Sequence, residues 1–254
     1  MVGILSRMST STSTTSTSSD SSTSSVITKH LTKAIDSYHR LLRLYNPTAT
    51  ATDGSGGDDD TVNVDQCIAW LKLGQAYQMG CRWSPAIKSF EECVELCVRE
   101  NVGEGRKEEK EEDTILAWYR VTALRCLSEV NVAISNYEEG IEHARNALSL
   151  LSKSTTTTTA TTASSILNEK RLLSVSLAMG LLQLARRHVS SDLFGHAYIA
   201  AMDGLNVLCS SNNNTSTSEK KMIGDLHSLL GALPSTVHRN SESDNDEQRI
   251  VHLQ

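Results

Sequence analysis

The chain has 254 residues and a formal net charge of −6. It is therefore too acidic for general binding to nucleic acid, which needs a basic face that displaces counterions. No segment approaches the roughly 18 apolar residues of a bilayer-spanning helix, so we expect neither a nucleic acid nor a membrane as partner. Ser/Thr/Asn tracts at 8–25, 152–165 and 210–218 offer little to bury, which leaves about two thirds of the chain for packing.

The first segment, residues 1–26, is predicted to be a disordered Ser/Thr-rich leader. The start MVGILSRMS is too short in apolar residues for a secretory signal. Through residue 33 the chain carries Arg7, Lys29 and Lys33 against Asp20 alone, a composition typical of an organelle transit peptide. The same Ser/Thr bias recurs inside the chain, however, where it cannot be an N-terminal targeting signal. We therefore expect a cytoplasmic or nuclear protein, with organelle targeting as the alternative.

Residues 27–232 carry helical periodicity throughout, and no sustained period-2 pattern occurs. The sequence therefore predicts an all-α fold, with loops inserted at 46–63, 101–113 and 153–165 and a disordered polar tail at 233–254. The expected helices are 27–45, 64–80, 84–100, 114–134, 137–152, 166–188, 192–209 and 218–231.

Every second helix repeats one pattern, in which small residues and their apolar neighbours recur along one face. The pattern begins at Ala34, Ala86, Gly140 and Ala197, at intervals of 52, 54 and 57 residues. A small residue at a fixed place allows a partner helix to approach closely. Regular intervals of two helices each predict stacked helical repeats, whereas an irregular bundle would need four chance recurrences.

The best-preserved copy is the stretch AWLKLGQAYQMGCRWSPAIKSFEECVEL at 69–96. Its residues resemble the signature of the tetratricopeptide repeat (TPR) family, and the matches are Trp70, Leu73, Gly74, Tyr77, Ala86 and Phe90. The resemblance implies a right-handed α-solenoid of about three TPR-like helical hairpins plus flanking helices. Gly74 and Ala86 are expected where the two helices touch, and Tyr77, Trp83 and Phe90 in the space towards the next hairpin. Ser84-Pro85 is expected to begin the second helix.

The resemblance also implies a concave groove lined by the first helix of each hairpin, which binds a peptide or a partner helix. On this chain the groove residues would be Gln75, Gln78, Arg125, Glu129 and Arg186. Arg125 and Arg186 are the candidates for contact with an anion or carboxylate. Alternatively, Arg125 pairs with Glu129, which lies within one helical turn.

Enzymatic and metal chemistry find little support in the residue pattern. Cys93 and Cys97 lie one turn apart, but no second close pair of Cys or His completes a metal site, so buried thiols are expected. His188 and His196 are near each other without an evident nucleophile. We expect no enzyme, no cofactor and no metal.

The sequence thus predicts a non-enzymatic scaffold or adaptor for protein–protein interaction, with a protein or peptide partner and a place in a larger complex. The alternative is a stable assembly subunit of a multiprotein complex in a mitochondrion or plastid, after removal of an N-terminal transit segment.

Overall fold

A computed structural model of the protein describes residues 20–45, 64–99, 110–154, 160–211 and 216–234. Every regular element within these ranges is an α-helix, which confirms the all-α prediction. The helices are α1 (Asp20–Tyr45), α2 (Val64–Met79), α3 (Trp83–Arg99), α4 (Lys110–Ala133), α5 (Tyr137–Ser154), α6 (Ala160–Ser190), α7 (Phe194–Ser211) and α8 (Thr217–Ala232). The leader before residue 20, most of the expected loops and the tail after residue 234 lie outside the described residues.

Several helices are longer than the apolar pattern predicts. Helix α1 begins at Asp20 and α6 at Ala160, both inside Ser/Thr-rich tracts, and α5 extends to Ser154. Adding residues to an existing helix costs little, because nucleation has already been achieved. Ser and Thr are only mildly unfavourable in helices, so they extend a helix that neighbouring apolar residues have started.

Helices that are consecutive in the chain pack against one another from α1 to α8. In addition, α2 contacts α4, α4 contacts α6, and α6 contacts α8. We call α2, α4, α6 and α8 the first helices, and α1, α3, α5 and α7 the second helices. Each of α3, α5 and α7 packs against the two first helices that flank it in the chain. The first helices together therefore form one continuous layer.

The turns that join α2 to α3, α4 to α5 and α6 to α7 are copies of one structure. Cys81, Ser135 and Asp192 have left-handed φ angles of 54°, 67° and 58°. In the first turn, the backbone N–H of Arg82 donates to the carbonyl of Tyr77, and that of Cys81 to the carbonyl of Gln78. The other two turns repeat both bonds, which is the Schellman arrangement. The turn positions are separated by 54 and 57 residues, the intervals of the sequence pattern.

These turns also correct two expected helix starts. Helix α3 begins at Trp83, so Pro85 lies within the first turn instead of at its first position. Helix α7 begins at Phe194 instead of at 192, and Asp192 is the left-handed residue of the turn before it. Both starts move because the Schellman bonds fix where the chain leaves the preceding helix.

The close approach expected between α2 and α3 is confirmed. A Cβ atom added to Gly74 would lie 2.5 Å from Cε1 of Phe90, so only glycine fits against this ring. Ala86 and Phe90 are fully buried. Phe90, which was expected towards the next hairpin, packs its ring on Gly74 within its own hairpin. Tyr77, however, faces the preceding helix and not the next hairpin: its hydroxyl shares a 2.6 Å hydrogen bond with Nε2 of His39 in α1.

Candidate functional site

The layer of first helices brings four of the five predicted groove residues to the junction of α2 and α4. Nε2 of Gln78 donates to Oε2 of Glu129 at 3.3 Å. Glu129 in turn accepts from Nη1 of Arg125 at 2.5 Å, one turn away on the same helix. Burial raises the pKa of Cys126 in α4, and the neighbouring side chain of Gln75 acts in the opposite direction, which places Gln75 at the same junction. These four residues therefore lie together on two neighbouring first helices, the location that the sequence predicts for them.

Arg125 also reaches the next first helix, where Nε donates to Oε1 of Glu169 at 2.6 Å. Its side chain is only 18% exposed and that of Glu169 only 8%. Burial disfavours the charged guanidinium, but Glu129, Cys126 and Glu169 outweigh it and hold the pKa of Arg125 above its ordinary value. Both carboxylates belong to the chain itself, so Arg125 joins α4 to α6. The intrahelical pairing with Glu129, the alternative weighed from the sequence, is present.

The junction of α6 and α8 repeats this arrangement with other residues. Nε of Arg171 donates to Oε1 of Glu219 at 2.7 Å, and Glu219 is buried. Glu219 also closes a capping box, because its other carboxylate oxygen accepts from the backbone N–H of Ser216. The hydrogen bond from Arg171 holds the pKa of Glu219 below its ordinary value.

Sequence reasoning missed Glu169 and Glu219. Each lies 44 to 48 residues from its arginine. Only the packing of one first helix on the next brings the pairs together. The one local signal is the Ser216-to-Glu219 spacing, which is typical of a capping box.

The fifth predicted residue, Arg186, borders a different feature. It lies on α6 at a shallow cavity of about 550 Å³ that is largely open to solvent, between the end of this helix and the turn before α5. The cavity is lined by Ser135, Tyr137, Gln183, Arg186, Arg187 and Ser190. We call this feature the arginine cavity. It places two guanidinium groups beside one phenol, one amide and two hydroxyl groups, which is a set of donors suited to an oxyanion.

Both arginines of the cavity are held loosely. Arg186 pairs with Asp225 of α8 at 3.4 Å, and its side chain is 49% exposed. Arg187 pairs with Glu138 of α5 at 3.3 Å, and its side chain is 56% exposed. Exposed ion pairs at such distances contribute little to stability and exchange readily for another anion. Of the two arginines predicted for anion contact, Arg186 is thus the accessible one.

The cysteines and histidines form no evident centre for metal chemistry. Across the described ranges, no group of three or more His, Cys, Asp or Glu side chains is arranged to hold a metal ion. Cys67, Cys93, Cys97 and Cys126 are buried, as the sequence predicts, whereas Cys81 and Cys209 are exposed. The bond with Cys67 lowers the pKa of Cys97, but the bond with Cys93 and burial outweigh it and raise the pKa to about 12. A thiol of this kind is a poor nucleophile at neutral pH.

The rings of His188 and His196 lie near the turn between α6 and α7, with their centroids 5.5 Å apart and their planes tilted by 45°. None of the helices within the described ranges combines the length and apolarity needed to cross a membrane.

Comparison with known proteins identified no relative of this chain. No family model matches the chain, and the comparisons with curated proteins and with solved structures found no similar protein. The likeness to the TPR family therefore rests on the residues of 69–96 alone.

Proposed function

We propose that the protein is a non-enzymatic scaffold of the TPR-like α-solenoid type, which binds a peptide or helix of a protein partner along its first helices. The observation that carries this proposal is the continuous layer of α2, α4, α6 and α8. Such a layer offers an extended surface on which successive helices contribute one or two side chains each. Three turns of identical geometry at regular intervals support the solenoid. We propose the cytoplasm or nucleus as its compartment.

Within this surface, we assign structural and binding roles to different residues. Arg125, Glu129 and Glu169 fix the spacing of the first helices, since the guanidinium of Arg125 binds one carboxylate on its own helix and one on the next. The arginine cavity would hold a carboxylate or another acidic group of the partner. Gln75 and Gln78 lie on the same layer and would contact the partner's backbone through their amides.

The test is affinity capture with quantitative mass spectrometry, using the wild-type chain and the double variant Arg186→Ala/Arg187→Ala. The control is Arg145→Ala, because Arg145 forms a similarly exposed pair with Asp203 on the second helices, at 3.5 Å. Circular dichroism would verify that both variants are folded. We expect one partner or a small set to be retained by the control and reduced about tenfold by the double variant.

Two outcomes would contradict the proposal in different ways. Equal capture by all three proteins would show that the arginine cavity is not the contact, while leaving the scaffold role intact. Absence of any stoichiometric partner, with a catalytic activity that purifies with the chain, would refute the scaffold role itself.

One observation favours the alternative of a permanent assembly subunit in an organelle: the second helix α1 exposes several large apolar residues, among them Ile27 and Leu44. Such a surface is more typical of a subunit whose partner is always present. N-terminal sequencing of the protein from cells distinguishes the two. Loss of about the first 30 residues would support organelle import, and an intact start would count against it.

A further inference from the structure

Within the residues that the structure describes, which begin at 20, α1 is a second helix with no first helix before it, and its side chains show the place that is left open. The repeat pattern has four inward positions on each second helix, and they can be compared directly. In α3 they are Ala86, Phe90, Cys93 and Cys97, and all are fully buried. The matching residues of α5 and α7 are buried as well, namely Gly140, Ala144, Ala147, Leu151, Ala197, Ala201, Gly204 and Leu208.

The same positions of α1 are Ala34, Tyr38, Leu41 and Tyr45, and none of them is buried. Leu41 is 37% exposed, where its counterpart Cys93 is 0% exposed. The other side of α1 is packed normally: Ile35 and Leu42 are buried against α2. The difference is therefore confined to the face that a first helix covers in the other three pairs.

An apolar stripe continues this open face beyond the repeat positions. Ile27 and Leu44 are 63% and 80% exposed. Ile27, Ala34 and Leu41 are seven residues apart, so they follow one side of the helix over about 21 Å. We call this surface the α1 stripe. Its length corresponds to about four turns of a docked helix.

Basic side chains border the α1 stripe on the side away from α2. By helical periodicity, Arg40 lies one turn before Leu44, and Lys33 and Lys29 lie on the same side of the helix nearer its N-terminus. All three are exposed, as is Asp36, which lies within one turn of both Lys33 and Arg40 and leaves this border with a net positive charge. A helix that covers the stripe would therefore place its own flank opposite these cations.

None of the chain's longer undescribed segments combines acidic residues with a row of large apolar residues over four turns. Residues 235–254 are acidic, but apart from Val237 their large apolar residues are confined to 250–253. Residues 1–19 contain apolar residues but no Asp or Glu. Residues 46–63 contain a run of aspartates but no row of large apolar residues. A second copy of α1 would bring like charges together.

On the basis of the scaffold function proposed above, we propose that the α1 stripe binds an acidic amphipathic helix from a different protein. This helix takes the place of the missing first helix of the N-terminal repeat, and its Asp or Glu side chains face Lys33 and Arg40. Apolar contact supplies the affinity, and the basic border selects the charge of the partner.

Two synthetic helical peptides of about 20 residues test this inference with the full-length protein. Both carry a Leu/Ala stripe at heptad spacing, flanked by Glu in one and by Lys in the other. Fluorescence anisotropy measures their binding at low and at physiological salt. We expect the Glu peptide to bind about tenfold more tightly, with the preference weaker at higher salt.

Three variants make the test specific. Leu41→Ser/Leu44→Ser should weaken binding of the Glu peptide about tenfold or more, and Lys33→Glu/Arg40→Glu should reverse the preference. Ile199→Ser is the matched control, because Ile199 is a 60% exposed residue on α7. It should bind as the wild type does.

The inference would be overturned by equal binding of the two peptides, or by binding that Leu41→Ser/Leu44→Ser leaves unchanged. Light scattering that shows a dimer sensitive to these substitutions would assign the stripe to a second copy instead. Binding that requires deletion of residues 1–19 would assign it to the chain's own leader. The Arg186→Ala/Arg187→Ala capture addresses another surface, so failure here leaves that result unaffected.

Discussion

The contact between Gly74 and Phe90 allows a test of the hairpin with a single methyl group. Gly74→Ala places a Cβ atom 2.5, 2.6 and 2.9 Å from three carbons of the Phe90 ring. Ordinary contacts begin near 3.4 Å, and Phe90 is fully buried. The ring or the helix must therefore move by about 1 Å in a close-packed core.

Two effects of opposite sign determine the size of the change. Overpacking typically lowers the free energy of unfolding by about 1–3 kcal/mol. Because three carbons of a rigid ring clash with the new Cβ atom, we expect a cost of about 3 kcal/mol here. Against this, alanine has a higher helix propensity than glycine, which stabilises the folded state by about 1 kcal/mol. We therefore expect the free energy of unfolding to fall by about 2 kcal/mol, and the melting temperature by about 4–8 °C.

The assay is urea unfolding followed by circular dichroism, with Gly224→Ala as the matched control. A Cβ atom at Gly224 would meet nothing within 4 Å, so this variant should gain about 0.5–1 kcal/mol. In a Phe90→Leu background the ring is absent, and Gly74→Ala should then cost much less. If Gly74→Ala stabilises the wild-type chain as Gly224→Ala does, the close approach is not present in solution.

Three further substitutions test the junctions and the turns by the same unfolding assay. Arg125→Leu leaves two carboxylates without their shared cation and should lower the free energy of unfolding by about 2–3 kcal/mol. Arg145→Leu, at an exposed pair, should lower it by less than about 0.5 kcal/mol. Equal effects of the two substitutions would contradict the buried pairing of Arg125. The pKa of Glu219 is lowered by Arg171, so its stabilising contribution is complete above its ordinary value of 4.5 and is lost as the pH falls through the lower folded-state value. Glu219→Gln should therefore flatten the loss of stability below that pH, and an unchanged acid profile would refute the linkage. Ser135→Gly removes the cost of a left-handed φ and should stabilise by about 0.5–1 kcal/mol, and a loss of stability would contradict the turn geometry.

Much of the fold could be predicted because the information is local. Period 3.6 in the apolar residues predicts helices, and small residues at regular intervals predict which helix faces meet. Gly74 is an example, since its lack of a side chain predicts that α2 and α3 approach closely, although Phe90, which fills this contact, was expected towards the next hairpin. Helix ends were less predictable: α1 and α6 begin within Ser/Thr-rich tracts, because extending a helix depends little on residue type.

The candidate site could be predicted only as a set of helix positions. Gln78, Arg125 and Glu129 meet as expected, but the partner of Arg125 on the next helix, Glu169, gave no signal. Arg187 was likewise not predicted beside Arg186, because the cavity forms between the end of α6 and a turn of the previous hairpin. Such neighbours are separated by some 44 to 55 residues, and only tertiary packing sets their distance.

For this protein the sequence by itself determined the helical class, the repeat interval and the best-preserved hairpin, because periodicity and residue size act between neighbours in the chain. The tertiary structure decided which charged side chains are paired inside the layer of first helices, as Arg125 is, and which stay accessible, as Arg186 and Arg187 do. It also showed that, among the described residues, no first helix covers the open face of α1: Leu41 and Cys93 occupy the same repeat position, and only the packing around them makes one exposed and the other buried.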